Sequence, residues 1–338
     1  MMHHPFNPEK FFKNLPSTHS GDFEKNALAL FEFQFEHNKV YREYSQRIGR
    51  PPEQVDSLMK IPFLPVRFFK THPVFCGDVP FTNYFLSYGT TGTQPSKHYI
   101  KEISSYLTNC VRCYNYSWGA LDNYSILALI PLLKNRETSS LVHMVEHFIQ
   151  LSNDSVSGFY YENEECLADL LSHPTGKFPA NKRIILLGLS YALYDFFYKH
   201  PIHFPELILM ETGGMKGRKK EMTRMELHEF LTNQTGVQKV YSEYGMTELM
   251  SQSYIVPPSF SFSPPPWMKI LIRDIHDPFH FLLEGKRGAV NVIDLANIHT
   301  CAFLELDDLG IIDPEGNFQI LGRMDESDWR GCNLMIFS

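Results

Sequence analysis

Cysteine is scarce in this sequence. Six residues, at 76, 110, 113, 166, 301 and 332, are spread unevenly through 338. That spacing excludes a disulfide framework of the kind that staples small secreted domains. Long apolar runs are missing too. None approaches the roughly 20 residues that a spanning helix needs, so no membrane span is expected. The opening residues, Met-Met-His-His-Pro-Phe-Asn-Pro, have no basic stretch followed by an apolar one. No secretory signal is expected there, and the expected location is cytoplasmic. Basic excess is also lacking: 31 Lys and Arg stand against 38 Asp and Glu, for a net charge of −7. A nucleic-acid partner, which calls for a basic face, is therefore not expected. No low-complexity tract or useful repeat occurs. What remains is a globular composition, 43% hydrophobic and 20% charged, with enough length for two domains or one large domain with a lobe.

Along the chain, residues 8–50 carry two helical patterns rich in Phe and Tyr, ended by Arg50-Pro51-Pro52. Residues 61–70 read as extended and proline-punctuated. Residues 81–86 read as a buried strand and residues 99–118 as a helix. Strands are expected over 124–131, 181–188, 207–212 and 240–244, with helices over 139–151, 190–198 and 220–233 between them. Short apolar strands alternating with helices predict an α/β fold with a mostly parallel sheet. In such sheets ligands sit beyond the carboxyl ends of the strands. The five prolines within residues 257–266 mark a change of lobe. Beyond them short strands, expected at 268–273, 279–283, 288–293, 303–306, 311–312 and 318–321, form a small β-rich lobe.

Between two of these elements lies Ser87-Tyr88-Gly89-Thr90-Thr91-Gly92-Thr93-Gln94-Pro95-Ser96-Lys97. A Gly/Thr loop after a strand offers backbone N–H groups, hydroxyls and a lysine to a polyphosphate, and glycine lets the backbone come close. It is not the G-x-x-x-x-G-K-[ST] loop, because no Lys-Ser/Thr follows Gly92. A plain Gly/Thr turn has the same composition. Two other patterns stand out. Cys110 and Cys113 form a CxxC with no second pair at zinc-site spacing, which favours buried helical thiols. His143, Glu146 and His147 form H-x-x-E-H on the helix over 139–151, where two histidines four apart suit zinc and Glu146 a base. An ordinary polar helix face has the same composition, and no third ligand can be singled out.

In order, the loops resemble those of the adenylate-forming enzymes. Residues 87–97 are similar to their phosphate loop, with Tyr88 and Gln94 as departures. Thr212-Gly213-Gly214 with Lys216-Gly217 resembles their adenine-side turn. Tyr244-Gly245-Met246-Thr247-Glu248 matches their Tyr-Gly-x-Thr-Glu motif, Asp308-Leu309-Gly310-Ile311-Ile312-Asp313 resembles the ribose-binding segment, and Gly322-Arg323-Met324-Asp325 the hinge. Ile61-Pro62-Phe63-Leu64-Pro65, Thr212-Gly213-Gly214-Met215-Lys216-Gly217 and Arg330-Gly331-Cys332 carry a closer likeness to the acyl-protein synthetases of bacterial luminescence, with phenylacetate–coenzyme A ligases as near relatives.

The resemblance implies ATP-dependent activation of a fatty or other carboxylic acid to an acyl-adenylate. Transfer to a protein thiol follows, for delivery to a reductase or acyltransferase subunit; transfer to coenzyme A is the alternative. It implies ATP binding by Ser87, Gly89, Thr90, Thr91, Gly92, Thr93, Lys97, Gly213, Gly214, Lys216, Tyr244, Gly245, Asp308 and Arg323. Tyr244 would pack on adenine, Asp308 would accept from the ribose, and Arg323 would lie near ribose or phosphate. Thr247 would contact the α-phosphate, Glu248 would hold Mg2+, and His143 would sit near the carboxylate. It also divides the chain into an α/β core over 1–256, a β-rich lobe over 257–325 that completes the ATP site, and a tail over 326–338. Only 15 residues follow Arg323, so the family's large C-terminal domain with its lysine is expected to be absent. Cys332 is the candidate acyl acceptor. It lies in a polar segment, Arg330 would favour its thiolate, and Gly331 would allow close approach. A final strand with Leu334, Met335 and Ile336 is the other reading of that segment.

Overall fold

The computed structural model describes residues 6–87, 94–132, 136–213, 222–256 and 259–324. The chain divides into two compact units, Met1–Phe81 with Ser263–Ser338, and Thr82–Phe262. The expected segments divide it differently, at 256 and 325.

The central unit is built on parallel strands. Gly158–Phe159, Tyr124–Leu129, Arg183–Leu189, Ile208–Thr212 and Val240–Tyr244 lie side by side in that order, and Ser253–Ile255 follows, antiparallel to the last of them. Every residue of Tyr124–Leu129 and of Ile208–Thr212 is buried, as a parallel sheet covered on both faces requires. Helices Glu164–Ser172, Ser190–Lys199 and Arg224–Thr235 bring Leu167, Leu193, Phe196, Phe197, Leu227 and Leu231 against Leu127, Leu186, Leu209 and Val240, all almost fully buried. Each such side chain contributes roughly 1.5–3 kcal/mol by leaving water, so this packing dictates where the strand ends lie. The last of these helices starts with a capping box, in which Thr223 and Glu226 satisfy each other's backbone N–H.

The other unit carries an antiparallel sheet of Met268–Arg273, Gly288–Asp294, Phe303–Ile312 and Phe318–Arg323, with Leu64–Pro65 running parallel to the third strand. Helices Ser20–His37 and Lys39–Arg47 reach it through Phe31 and Tyr41, whose rings lie 6.3 and 6.0 Å from that of Phe303; helix Pro8–Asn14 precedes them. Gln34 donates to the carbonyls of Asn297 and Ile298, at 2.7 and 2.9 Å, and accepts from Ala302 N–H at 2.9 Å. Asn38 donates to the Thr300 carbonyl at 2.8 Å. The Tyr41 and Phe303 rings stack at 6.0 Å. No helix among the described residues is long and apolar enough to cross a membrane.

Several expected elements differ. The helix expected from residue 99 begins at Ile103, because Lys97–Ile100 is a strand paired antiparallel with Asn83–Leu86 in a separate two-stranded sheet. Its alternation, with Lys97 and Tyr99 half-exposed and His98 and Ile100 buried, has the two-residue period of a strand. The candidate phosphate loop thus joins two strands rather than a strand and a helix. Residues 303–306 and 311–312 are one strand, Phe303–Ile312, although Asp307 and Asp308 interrupt its apolar run. Asp308 therefore sits within a strand instead of a turn. Residues 279–283 make only a bridge, Arg273 to Phe281. Residues 61–70 hold the short strand Leu64–Pro65 and then the helix Phe68–Thr71, and residues 8–50 hold three helices instead of two.

Candidate active site

The hairpin of Asn83–Leu86 and Lys97–Ile100 has two unlike faces. On one, Tyr84 lies opposite Tyr99, and the Lys97 ammonium rests 3.9 Å from the centre of the first ring and 4.7 Å from that of the second. An ammonium over aromatic faces is attracted by the ring quadrupoles, which orients this lysine. At the mouth of the hairpin, Ser87 N–H donates to the Ser96 carbonyl at 3.0 Å and Ser87 Oγ accepts from Ser96 N–H at 2.8 Å. Tyr88, Gly89, Thr90, Thr91, Gly92 and Thr93 lie outside the described residues.

The other face is buried. Phe85 lies opposite His98, and its ring is 4.9 Å from that of Tyr106 and 5.5 Å from that of His143. The His98 side chain reaches a distant part of the chain, with Nδ1 2.7 Å from the carbonyl oxygen of Thr247. The hairpin and the Tyr-Gly-x-Thr-Glu turn, 149 residues apart, are thereby joined. His143 is half-buried beside Phe85, with Nε2 3.0 Å from the carbonyl of Glu137. Among the described residues no three His, Cys, Asp or Glu side chains form a group able to hold a metal ion. His143, Glu146 and His147 are all described and build no such group.

Thr247 and Glu248 lie three and four residues past the strand Val240–Tyr244, at the carboxyl end of the parallel sheet. Glu248 is 5% exposed. The Tyr244 ring is buried, 5.6 Å from that of Phe262, and its hydroxyl is 3.8 Å from Met246 Sδ. Gly245 lets the turn pass close to its neighbours: a Cβ there would come 2.5 Å from Glu243 Oε1 and 3.4 Å from Gln252 Cγ.

One strand over, Ile208–Thr212 ends at Thr212, and the next residue, Gly213, has φ 76°, a conformation that favours glycine. Gly214 and Lys216 lie outside the described residues. Behind the two strand ends is a buried acidic pair that the sequence reading does not assign. Thr212 Oγ1 donates to the Glu243 carboxyl. Burial pushes this carboxyl up to about 7; the Thr212 hydroxyl opposes that rise and the charge of Glu211 adds to it. Glu211 accepts from Ser190 and Ser242, each at 2.6 Å, and lies 3.3 Å from Arg224 Nε and 3.7 Å from His228 Nε2. Burial alone would raise its pKa, but these partners outweigh burial and hold it below the ordinary glutamate range. The available signal was a charge inside an otherwise apolar strand, Leu207-Ile208-Leu209-Met210-Glu211.

In the antiparallel unit, Asp308 and Arg323 face each other across adjacent strands, with Arg323 Nε 3.1 Å from Asp308 Oδ1. The pairing slips by one residue between Leu309 and Gly310. A Cβ on Gly310 would meet the Gln319 carbonyl and Val290 Cγ2, each at 2.8 Å. Asp308 is 7% exposed, while half of the Arg323 side chain is open.

Of the cysteines, 76, 110, 113 and 301 are buried. Burial raises the Cys110 thiol well above its ordinary value and pushes that of Cys301 up to about 12, so these two are held as neutral packing groups. Cys166 is exposed. From the sequence, the cysteines other than Cys332 sit in more apolar contexts and are expected to be packing thiols; Cys166 departs from that, because it is exposed on helix Glu164–Ser172, whose buried residues are Leu167 and Leu171. Cys332 lies outside the described residues.

This architecture is that of adenylate-forming enzymes. It is similar to the structure of a 2-hydroxyisobutyryl-CoA ligase in complex with 2-HIB-AMP and CoA, with a TM-score of 0.65 and 14% identity over 91% of this chain and 76% of that one. It is also similar to ATP-bound MatB from Rhodopseudomonas palustris, with a TM-score of 0.51 and 16% identity over 71% of this chain and 47% of that one. A long-chain-fatty-acid-CoA ligase from Archaeoglobus fulgidus gives 0.50 and 17% over 71% and 51%. The chain thus spans about half the length of the last two, and the likeness is one of fold. No curated protein sequence matches the chain. Residues 16–338 match the family described as Acyl-protein synthetase, LuxE. With nearly the whole sequence inside that match, the chain belongs to the LuxE acyl-protein synthetase family.

Proposed function

We propose that this protein activates a carboxylic acid, of the long-chain fatty type, by adenylation with ATP, and then takes the acyl group onto Cys332 as a thioester for delivery to an acyl reductase. The family match over residues 16–338 is the observation that carries this reading. A carboxylate oxygen attacks the α-phosphorus, and the bond to pyrophosphate breaks. The Cys332 thiolate then attacks the acyl carbon and AMP leaves. In both steps charge builds on oxygens, so catalysis is mainly positioning and electrostatic stabilisation.

In this reading the Thr90, Thr91 and Gly92 segment holds the terminal phosphates, and Gly89, Thr93, Lys97 and Lys216 line the same region. Thr247 contacts the α-phosphate, Tyr244 packs on adenine, Asp308 accepts from the ribose and Arg323 lies beside it. Glu248 is the carboxylate for Mg2+. A hard cation that takes one or two carboxylates and completes its shell with phosphate oxygens and water suits that single acidic oxygen donor; when bound, it neutralises phosphate charge. The buried position of Glu248, at the carboxyl end of the parallel sheet, fits this role. His143, whose ring is 5.5 Å from that of Phe85, is in this reading the residue near the acid.

The test uses radiolabelled fatty acid and ATP. Acid-dependent ATP–pyrophosphate exchange is expected, together with a hydroxylamine-labile label on the protein. Cys332→Ser is expected to keep exchange and lose the label. A fully labelled Cys332→Ser protein would reject Cys332 as acceptor. The second reading is transfer to coenzyme A, favoured by the CoA ligases among the solved structures of similar fold. Coenzyme A consumption by the Cys332→Ser protein at the wild-type rate would select it.

A further inference from the structure

We propose that His98 is a positioning residue for adenylation: through its Nδ1–H it holds the carbonyl of Thr247, and so fixes the turn of Thr247 and Glu248 against the hairpin that flanks residues 88–93. This rests on the adenylation reading above and adds to it a residue that none of the recognised motifs contains.

The geometry dictates the proton. A carbonyl oxygen only accepts, so at 2.7 Å the Nδ1 nitrogen must donate, which selects one neutral tautomer or the imidazolium. The side chain is fully buried. A buried donor left without an acceptor is strongly disfavoured, so the bond is a constraint and not an incidental contact. The ring is aimed by its strand. His98 lies opposite Phe85 in the hairpin register, and Phe85 is fixed in turn by the Tyr106 ring. Pairing between Val240–Tyr244 and Ser253–Ile255 ends at Tyr244 opposite Ser253. Beyond that point Leu249 N–H donates to the Met246 carbonyl at 3.1 Å. His98 grips the carbonyl between these two anchor points, at the residue assigned to the α-phosphate. Misplacing such a group by about 1 Å can cost on the order of 10²-fold in rate.

Three substitutions separate positioning from bulk. His98→Phe keeps a buried ring and loses the donor. His98→Asn places an amide nitrogen near the Nδ1 position, and His98→Gln places one near Nε2. Folding of each is checked by thermal melting. In acid-dependent ATP–pyrophosphate exchange, His98→Phe is expected to lose on the order of 10- to 100-fold in kcat with the KM for the acid little changed, the signature of a contact used in the transition state. His98→Asn is expected to recover most of that loss and His98→Gln little. A His98→Phe enzyme with wild-type kcat overturns the proposal. So does rescue by Gln equal to that by Asn, a comparison that stands even if the Phe variant fails to fold. Nitrogen-15 NMR of histidine-labelled wild-type protein tests the bond without activity: a protonated Nδ1 on His98 is expected, and an unprotonated one overturns it. Absence of exchange in the wild type, with Nδ1 protonated, would instead reject the adenylation reading and the catalytic role with it.

Discussion

The carboxyl of Glu243 lies over Gly245, so close that a Cβ on the glycine would come 2.5 Å from Glu243 Oε1. The carboxyl has little freedom to retreat, because the Thr212 hydroxyl is bonded to it and it is buried. The Gly245 of the Tyr-Gly-x-Thr-Glu turn is therefore required by a neighbour two residues earlier in the chain.

Gly245→Ala is accordingly expected to destabilise the protein by about 1–3 kcal/mol, the usual cost of overpacking. In a urea-unfolding double-mutant cycle, most of that cost is expected to vanish in the Glu243→Ala background, where the clashing oxygen is gone. Additive effects of the two substitutions would show that the crowding is not with Glu243.

Glu243 also makes a specific pH dependence. Its carboxyl is raised from the ordinary 4.5 to about 7, chiefly by burial. The folded protein keeps the proton between these values, whereas the unfolded chain releases it above 4.5. The stabilisation linked to Glu243 is thus fully present below pH 4.5 and is lost as pH rises through about 7. Glu243→Gln cannot ionise. Urea unfolding between pH 5 and 7 is expected to show wild type losing stability relative to this variant by up to about 1.4 kcal/mol per pH unit. Parallel pH profiles would reject the raised carboxyl.

Asp308 and Arg323 form a half-open pair at 3.1 Å. Ion pairs of this exposure contribute about 0–1 kcal/mol to stability. Asp308→Asn is expected to shift the unfolding midpoint little and to raise the KM for ATP in exchange assays by about tenfold, corresponding to about 1.4 kcal/mol of lost ribose binding. A large drop in stability with unchanged KM would make the pair structural.

Thr91→Ala and Glu248→Gln are each expected to lower acid-dependent exchange by on the order of 10²-fold, the typical effect of deleting one transition-state contact. Folded variants of both with full exchange would remove these residues from the reaction.

Most strands and helices in residues 124–244 were legible in the sequence, because buried strands are largely apolar runs and amphipathic helices have a strong period; the two-residue strand Gly158–Phe159 and the nine-residue helix Glu164–Ser172 were not, being too short for a period to stand out. The order of the motifs was legible as well, since a phosphate loop or a Tyr-Gly-x-Thr-Glu turn is written in consecutive residues. The strand Lys97–Ile100 was not read as one: four residues are too few for a period to stand out, and its partner Asn83–Leu86 is supplied by tertiary pairing. Asp308 reads as a turn residue in isolation, yet a facing Arg323 and a slipped register accommodate it inside a strand. The buried charges at Glu211 and Glu243 are tolerable only with partners from other elements, Ser190, Ser242, Arg224 and Thr212. The bond from His98 to Thr247 spans 149 residues. No local pattern encodes it, because whether a buried histidine meets a carbonyl depends on how two distant strand ends are brought together by the packing of the helices between them.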